Sequence, residues 1–207
     1  MKKVYCWPVG PLATNCYALA EGDVCLVFDV GSGGKAIADH LKELGLQPLA
    51  VLLTHRHFDH CYSVKTFLQS FPVPVYAFDT PNDPPFDMKC EHYRIPARDV
   101  GVTNFVQDGQ TLHIGPFSVK VLHTPGHTFD GVCYLIDDKL FSGDTLFHLC
   151  VGRSDLDDGN RADLNRSLRR LARLEGNYTV YPGHNEQTTL DFERKYNTDV
   201  LAAEREV

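Results

Sequence analysis

The 207-residue sequence predicts an α/β fold, a four-layer sandwich of two mixed β-sheets packed face to face with helices outside. Three observations predict it. Strands and helices follow one another in two halves of loosely parallel order, and the first half holds two consecutive strand, helix, strand units. The composition, 43% hydrophobic and 23% charged, is that of an ordinary globular chain, neither disordered nor fibrous. The length, at roughly 100–200 residues per domain, corresponds to a single domain over residues 1–207.

The elements follow from periodicity and punctuation. Short apolar runs at Val4–Val9, Asn15–Ala20 and Val24–Val30 are separated by Gly, Pro and Asn and read as strands joined by tight turns. From Lys35 to Leu44, Ile37, Leu41 and Leu44 recur at helical spacing, and Gly45 supplies the stop before the buried-strand run Leu49–Leu53. Tyr62–Phe71 repeats the helical spacing through Val64, Phe67 and Leu68, and Val73–Phe78 reads as a strand. Residues Asp79–Val100 carry Pro81, Pro84, Pro85 and Pro96 without a period, which predicts a long irregular loop of the kind that covers sites. Strands are predicted at Thr111–Ile114, Phe117–His123, Val132–Ile136, Leu140–Ser142 and Tyr178–Tyr181, and helices at Ala162–Leu174 and Thr188–Tyr196.

Charge and cysteine usage narrow the partners. The net charge of −7, with no Lys/Arg-rich run, argues against nucleic acid and anionic membranes. Seven scattered cysteines without a Cys-x-x-Cys pair read as reduced thiols. Pro8, Gly10 and Pro11 interrupt the apolar stretch a signal peptide needs, so a cytoplasmic location is expected. The oligomeric state is not legible.

Chemistry concentrates directly after the strand at Leu49–Leu53, in Thr54-His55-Arg56-His57-Phe58-Asp59-His60. Chain leaving a strand is extended, so His55, His57 and Asp59 share one side at period two, while His60 turns inward as a helix begins. That arrangement gives two ligands to one metal centre and two to a neighbour. Further candidates follow apolar strands beside Gly or Pro: His127 in HTPGHT, Asp144 in FSGDTLF and His184 in YPGH. Loops at one edge of a packed scaffold are where such ligands converge. Imidazole and carboxylate suit divalent ions of borderline hardness; with no cysteine in the set, zinc is favoured and iron and manganese stay open. His40, His92, His113 and His148 stand alone and read as surface or hydrogen-bonded residues, and Asp29, Thr54 and Thr128 are candidates for holding the far nitrogens of ligating histidines.

These segments, with PVGPLATNCYAL, VFDVGS and VGRSDL in the same order, resemble the metallo-β-lactamase superfamily, and within it the single-domain glyoxalase II-like thioester hydrolases. The resemblance implies the metallo-β-lactamase fold, with His55, His57 and His127 on a first metal, Asp59, His60 and His184 on a second, and Asp144 bridging both. It implies Asp59 and Asp144 as catalytic residues, and as substrate a small acyl-thioester such as S-lactoylglutathione, attacked by a metal-bridging hydroxide whose pKa is lowered towards ~7. Alternatives on the same scaffold are a persulfide dioxygenase with one iron on His55, His127 and Asp144, a lactonase or β-lactamase-like hydrolase, and a metal-binding domain without turnover.

The sequence departs from the family in three places. Cys61, Tyr62 and Ser63 follow His60 where the family has small residues, which places Tyr62 to crowd or line the pocket; Asn185-Glu186-Gln187 varies the turn after His184. Only 23 residues follow His184, where larger glyoxalase II enzymes carry a helical domain that contacts glutathione. The Asp79–Val100 loop, with Phe86, Tyr93, Arg94 and Arg98, is therefore the segment expected to complete the pocket, although packing and solvation also explain those four side chains. Arg153 and Asp155 are expected to pair locally and fix their loop.

Overall fold

The computed structural model describes residues 2–80 and 94–205. It contains two mixed sheets of six strands each, with helices, distributed over two compact units: Met1–Val106 with His113–Phe117, and Gln107–Leu112 with Ser118–Val207. The first sheet runs in the order β1 (Lys3–Val9), β2 (Thr14–Glu21), β3 (Val24–Phe28), β4 (Gln47–Leu52), β5 (Val75–Phe78), β6 (Asn104–Val106). Its first three strands pair antiparallel and its last three join in parallel. Seven of the eight residues of β2 are buried, the signature of a strand covered on both faces.

Helix α1 (Gly34–Glu43) returns the chain from β3 to β4, and Ile37, Ala38 and Leu41 pack it into a core with Val27, Val51 and Phe67. Gly45 ends it as predicted: at φ 68° it lets Leu46 N–H reach the carbonyl of Leu41 at 2.8 Å while its own N–H bonds that of Lys42. Of the helix predicted over Tyr62–Phe71 only α3 (Val64–Leu68) forms, and it is separated from a short preceding helix, α2 (Phe58–Cys61). The break has a cause in Ser63, whose N–H bonds the Val30 carbonyl at 3.0 Å and whose Oγ accepts from Gly34 N–H at 3.0 Å. Those bonds tie the ligand segment to the end of β3 at the cost of helical continuity.

The predicted loop over Asp79–Val100 lies largely outside the described residues, which takes Phe86, Tyr93, Cys90 and His92 with it. Its described end forms α4 (Ala97–Val100); Arg98 is exposed there and lies 3.8 Å from Asp99, while Arg94 is buried and bridges to His57. Strand β6 carries no sequence signal, because three residues with only Val106 buried show no alternation.

The second sheet runs β12 (Thr188–Thr189), β11 (Thr179–Pro182), β10 (Lys139–Gly143), β9 (Val132–Ile136), β8 (Phe117–His123), β7 (Thr111–Ile114). Helix α5 (Arg161–Ala172) places Leu164, Leu168 and Leu171 at i, i+4 and i+7 into a core with Leu122, Leu140 and Val180. Asn160 caps it by accepting from Asp163 N–H at 3.0 Å. The predicted helix Thr188–Tyr196 begins two residues late as α6 (Leu190–Tyr196), since Thr188 and Thr189 pair with β11 and Thr189 caps the helix. A last helix, α7 (Thr198–Arg205), went unpredicted although Asn197 signals it: its Oδ1 accepts from Asp199 N–H at 3.0 Å.

Among the described residues no helix is long and apolar enough to cross a membrane, and none of the six described cysteines is in a disulfide. Burial pushes the Cys25 thiol up to about 12 and Cys133 to about 11, and raises Cys16 further in direction. The expected result in native protein is that Cys16, Cys25 and Cys133 stay unmodified by iodoacetamide at pH 8 while exposed Cys150 reacts, with all four labelled after unfolding; peptide mass spectrometry reads this out.

Candidate metal centre

In the first unit, β4 delivers the chain into a dense group of imidazoles. His55, His57 and His60 are all buried; the His55 ring lies 4.7 Å from that of His57, edge-on, and 4.1 Å from that of His60. His57 is extended (φ −63°, ψ 148°) and α2 starts immediately after it, so His60 leaves from the first helical turn as expected, but Asp59 does too, where the spacing predicts it on extended chain at period two with His55 and His57. Asp59 Oδ2 accepts from Thr14 Oγ1 at 2.8 Å and stands 3.5 Å from His60 Nε2. Gly31 makes the approach possible: a Cβ there would sit 1.4 Å from the Asp59 carbonyl oxygen.

Asp29 organises this half. It sits at φ 52°, a left-handed conformation that Asp tolerates better than most residues. Its Oδ1 accepts from Thr54 N–H at 2.9 Å; its Oδ2 accepts from Thr54 Oγ1 at 2.7 Å and stands 2.9 Å from His60 Nδ1. Thr54 Oγ1 is in turn 3.1 Å from His55 Nδ1. A carboxylate can only accept, so His60 carries its proton on Nδ1; the Thr54 hydroxyl gives its hydrogen to Asp29, so His55 does the same. In both imidazoles the lone pair is left on Nε2, the atom a metal would take.

In the second unit, Asp144 follows β10 and His184 follows β11, and a 2.8 Å bond from Gly183 N–H to the Gly143 carbonyl holds the two strand ends in register. Asp144 Oδ2 lies 3.4 Å from His127 Nε2 and 3.5 Å from His184 Nε2. His127 Nδ1 donates to the Arg153 carbonyl at 2.7 Å, which again assigns the lone pair to Nε2. Arg153 and Asp155 pair through a two-pronged contact at 2.7 and 2.9 Å, as expected for a locally fixed loop. A Cβ on Gly152 would meet the Asp144 carbonyl oxygen at 1.8 Å, so only glycine lets this loop pass.

The donor set fits a metal. The N···O separations of 3.4–3.5 Å in both halves exceed the roughly 2.7–3.2 Å of a hydrogen bond. Two ligand atoms each about 2.0–2.1 Å from one tetrahedral ion lie about 3.4 Å apart. Each pair is therefore spaced as neighbours around a common ion rather than as partners of one another.

Every candidate ligand falls into one of these two groups: His55, His57, Asp59 and His60 in the first unit, His127, Asp144 and His184 in the second. Asp29 and Thr54 hold candidate ligand imidazoles, whereas Thr128 holds none in the described contacts, that place being taken by the Arg153 carbonyl. Three contributors escaped the sequence analysis: Thr14, the Arg153 carbonyl and Arg56. Arg56 is fully buried between two ligand candidates, where its Nη2 donates to Thr80 Oγ1 at 3.0 Å and its carbonyl accepts from Ile95 N–H at 3.0 Å. An arginine flanked by histidines in a buried segment is itself a signal, since a guanidinium is seldom fully buried without a structural task. His148 pairs with Glu186 at 2.5 Å, and His40 lies 3.6 Å from Glu43.

Residues 9–184 match the family model described as the metallo-beta-lactamase superfamily. The chain belongs to the metallo-β-lactamase superfamily. Among relatives in this superfamily, "Probable metallo-hydrolase YqgX" of Bacillus subtilis (strain 168) is 36% identical over 198 residues, covering 92% of this chain and 93% of the relative. A "Hydroxyacylglutathione hydrolase" of Hahella chejuensis is 35% identical over 168 residues, covering 79% of this chain and 58% of that enzyme. Of solved structures, the BLEG-1 B3 metallo-beta-lactamase superposes with a TM-score of 0.84 at 32% identity, over 96% of this chain and 99% of its own. TTHA1623, solved in a di-iron-bound form, gives 0.78 at 32% identity, over 94% and 98%. The metallo-β-lactamase fold binds divalent metals, and the two His/Asp groups described above provide ligands of that kind.

Proposed function

We propose that this metallo-hydrolase cleaves small acyl-thioesters with a dinuclear metal centre. His55, His57 and His127 are assigned to one ion, Asp59, His60 and His184 to the other, and Asp144 to both. The observation that carries the reading is that Asp144 Oδ2 lies 3.4 Å from His127 Nε2 and 3.5 Å from His184 Nε2, which supports a carboxylate shared by two ions. The likeness to a hydroxyacylglutathione hydrolase supports the thioester as substrate.

Bound there, two divalent ions would make hydroxide available near neutral pH and polarise an acyl carbonyl. The protein's own part is preorganisation. Asp29 and Thr54 keep the protons of His60 and His55 on Nδ1, and the Arg153 carbonyl does so for His127, so none of these three imidazoles has to change tautomer to take a metal. Asp59, steadied by Thr14, and Asp144 contribute acceptor-only oxygens that orient the attacking water. A thiolate leaving group with a pKa near ~8.5 departs without a strong general acid, in keeping with a site built from ligands. Zinc is the proposed metal, with iron or manganese as the alternatives, and a cytoplasmic location is proposed with it.

The test is metal analysis of protein purified without added metal, with S-lactoylglutathione hydrolysis measured on the same sample. The expected result is close to two ions per chain and turnover. One iron per chain, no hydrolysis, and oxygen uptake with glutathione persulfide would replace this reading with the dioxygenase.

A further inference from the structure

A cavity of about 240 Å³ opens in the first unit beside Asp59, between the β1–β2 turn and α2. Val9, Pro11 and Leu12 of the turn, Ser32, and Phe58 and Tyr62 line it. The turn is fixed by Ala13 N–H bonding the Gly10 carbonyl at 3.2 Å, so Leu12 is presented by ordered backbone. Leu12 is 53% exposed and Tyr62 74% exposed, an unusual outlay of apolar surface at the rim of one small pocket. Neither side chain is used by the ligand set or by the core.

We propose that this cavity is the subsite for the apolar acyl portion of the substrate, and that Leu12 and Tyr62 set acyl-chain preference. The inference rests on the thioesterase reading and deepens it. Size comes first: sites for drug-sized ligands span roughly 300–1,000 Å³, so this pocket takes a fragment and not a whole thiol carrier. Charge comes second: among the described lining residues Asp59 is the one ionic group, and none is a cation that would receive the carboxylates of a peptide-like carrier. Continuity comes third: Asp59 is at once a wall of the cavity and a proposed ligand, so a chain seated here ends its carbonyl at the proposed centre. A lactoyl group, short and hydroxylated, leaves most of the apolar wall uncovered, whereas a hexanoyl chain covers Leu12 and Tyr62.

The experiment compares S-hexanoyl- and S-lactoylglutathione with wild type, Tyr62→Ala, Leu12→Ser and the cavity-filling Ser32→Phe, and in parallel titrates 1-hexanol into the holoprotein while following the methyl signals of Val9 and Leu12. Wild type is expected to favour the hexanoyl ester in kcat/KM by about tenfold or more. The two rim variants should cut that ratio about fivefold through KM, and Ser32→Phe should invert it, with metal content equal in all four proteins. Ratios unchanged across the variants would overturn the subsite and leave the thioesterase standing. Absence of any thioester cleavage by wild type would overturn the thioesterase; hexanol shifts at Val9 and Leu12 that vanish in Ser32→Phe would then support an apolar subsite, and their absence would overturn it.

Discussion

Asp144→Ala is expected to lower thioester hydrolysis by about a thousandfold or more, and to reduce bound metal from two ions per chain to one or fewer. The size follows from what is lost. Lewis-acid stabilisation of a developing oxyanion is worth several kcal/mol, and at about 1.4 kcal/mol per decade a thousandfold corresponds to about 4 kcal/mol. Asp144 Oδ2 lies 3.4 Å from His127 Nε2 and 3.5 Å from His184 Nε2, so one deletion removes the anionic neighbour of two imidazoles. Folding should survive, because the backbone there is held by other groups: Gly183 N–H on the Gly143 carbonyl, Thr145 N–H on the Ser142 carbonyl, and Ser142 Oγ on the Leu146 carbonyl at 2.7 Å. The measurement is metal content by mass spectrometry, far-UV circular dichroism and initial rates on one preparation. Asp144→Asn separates charge from shape; retention of both ions and full rate in that variant would show that the carboxylate is not shared.

The candidate ligands were legible because their pattern is local: three imidazoles and a carboxylate crowd into His55–His60 after a buried strand, although Asp59 leaves from the first turn of α2 and not from extended chain. The groups that hold them were legible only where they also were local. Thr54 adjoins His55, and Asp29 ends an early strand, so both could be named. Thr14, 45 residues from the Asp59 it steadies, and the Arg153 carbonyl, 26 from His127, could not, because a hydroxyl in a strand and a backbone oxygen in a loop carry no periodic mark. The same distinction governs the fold. Helix α1 was read to its final residues because its stop is a glycine at the position where the helix ends. The Tyr62–Phe71 helix was misread because Ser63 trades its helical bond for one to Val30, 33 positions earlier, and a window of local apolar spacing cannot register that competition.

Asp29→Asn is expected to weaken metal binding by about 10- to 100-fold, the usual cost of losing an outer partner of a ligating histidine, while leaving stability nearly unchanged. Asn keeps the left-handed backbone at φ 52° affordable, fills the same volume, and retains an oxygen for Thr54 N–H. Its amide nitrogen then replaces Oδ2, the atom 2.9 Å from His60 Nδ1 and 2.7 Å from Thr54 Oγ1. Two donors cannot face each other, so His60 must move its proton to Nε2 to accept from the amide, and that removes the lone pair a metal would use. Thr54, no longer donating to a carboxylate, also loses its reason to accept from His55 Nδ1 at 3.1 Å, so the disturbance reaches a second imidazole. Asp29→Ala should differ in kind: it leaves buried donors without an acceptor at roughly 1–3 kcal/mol each and puts a β-carbon without a polar group into the left-handed region, so it should also lower the urea midpoint of the metal-free protein. Metal titrations with a competing chelator and urea unfolding of both variants separate the two effects. Wild-type affinity in Asp29→Asn would mean that His60 reaches its ligating tautomer without help from Asp29. A loss of affinity with an unchanged urea midpoint would place the whole effect in the position of one proton.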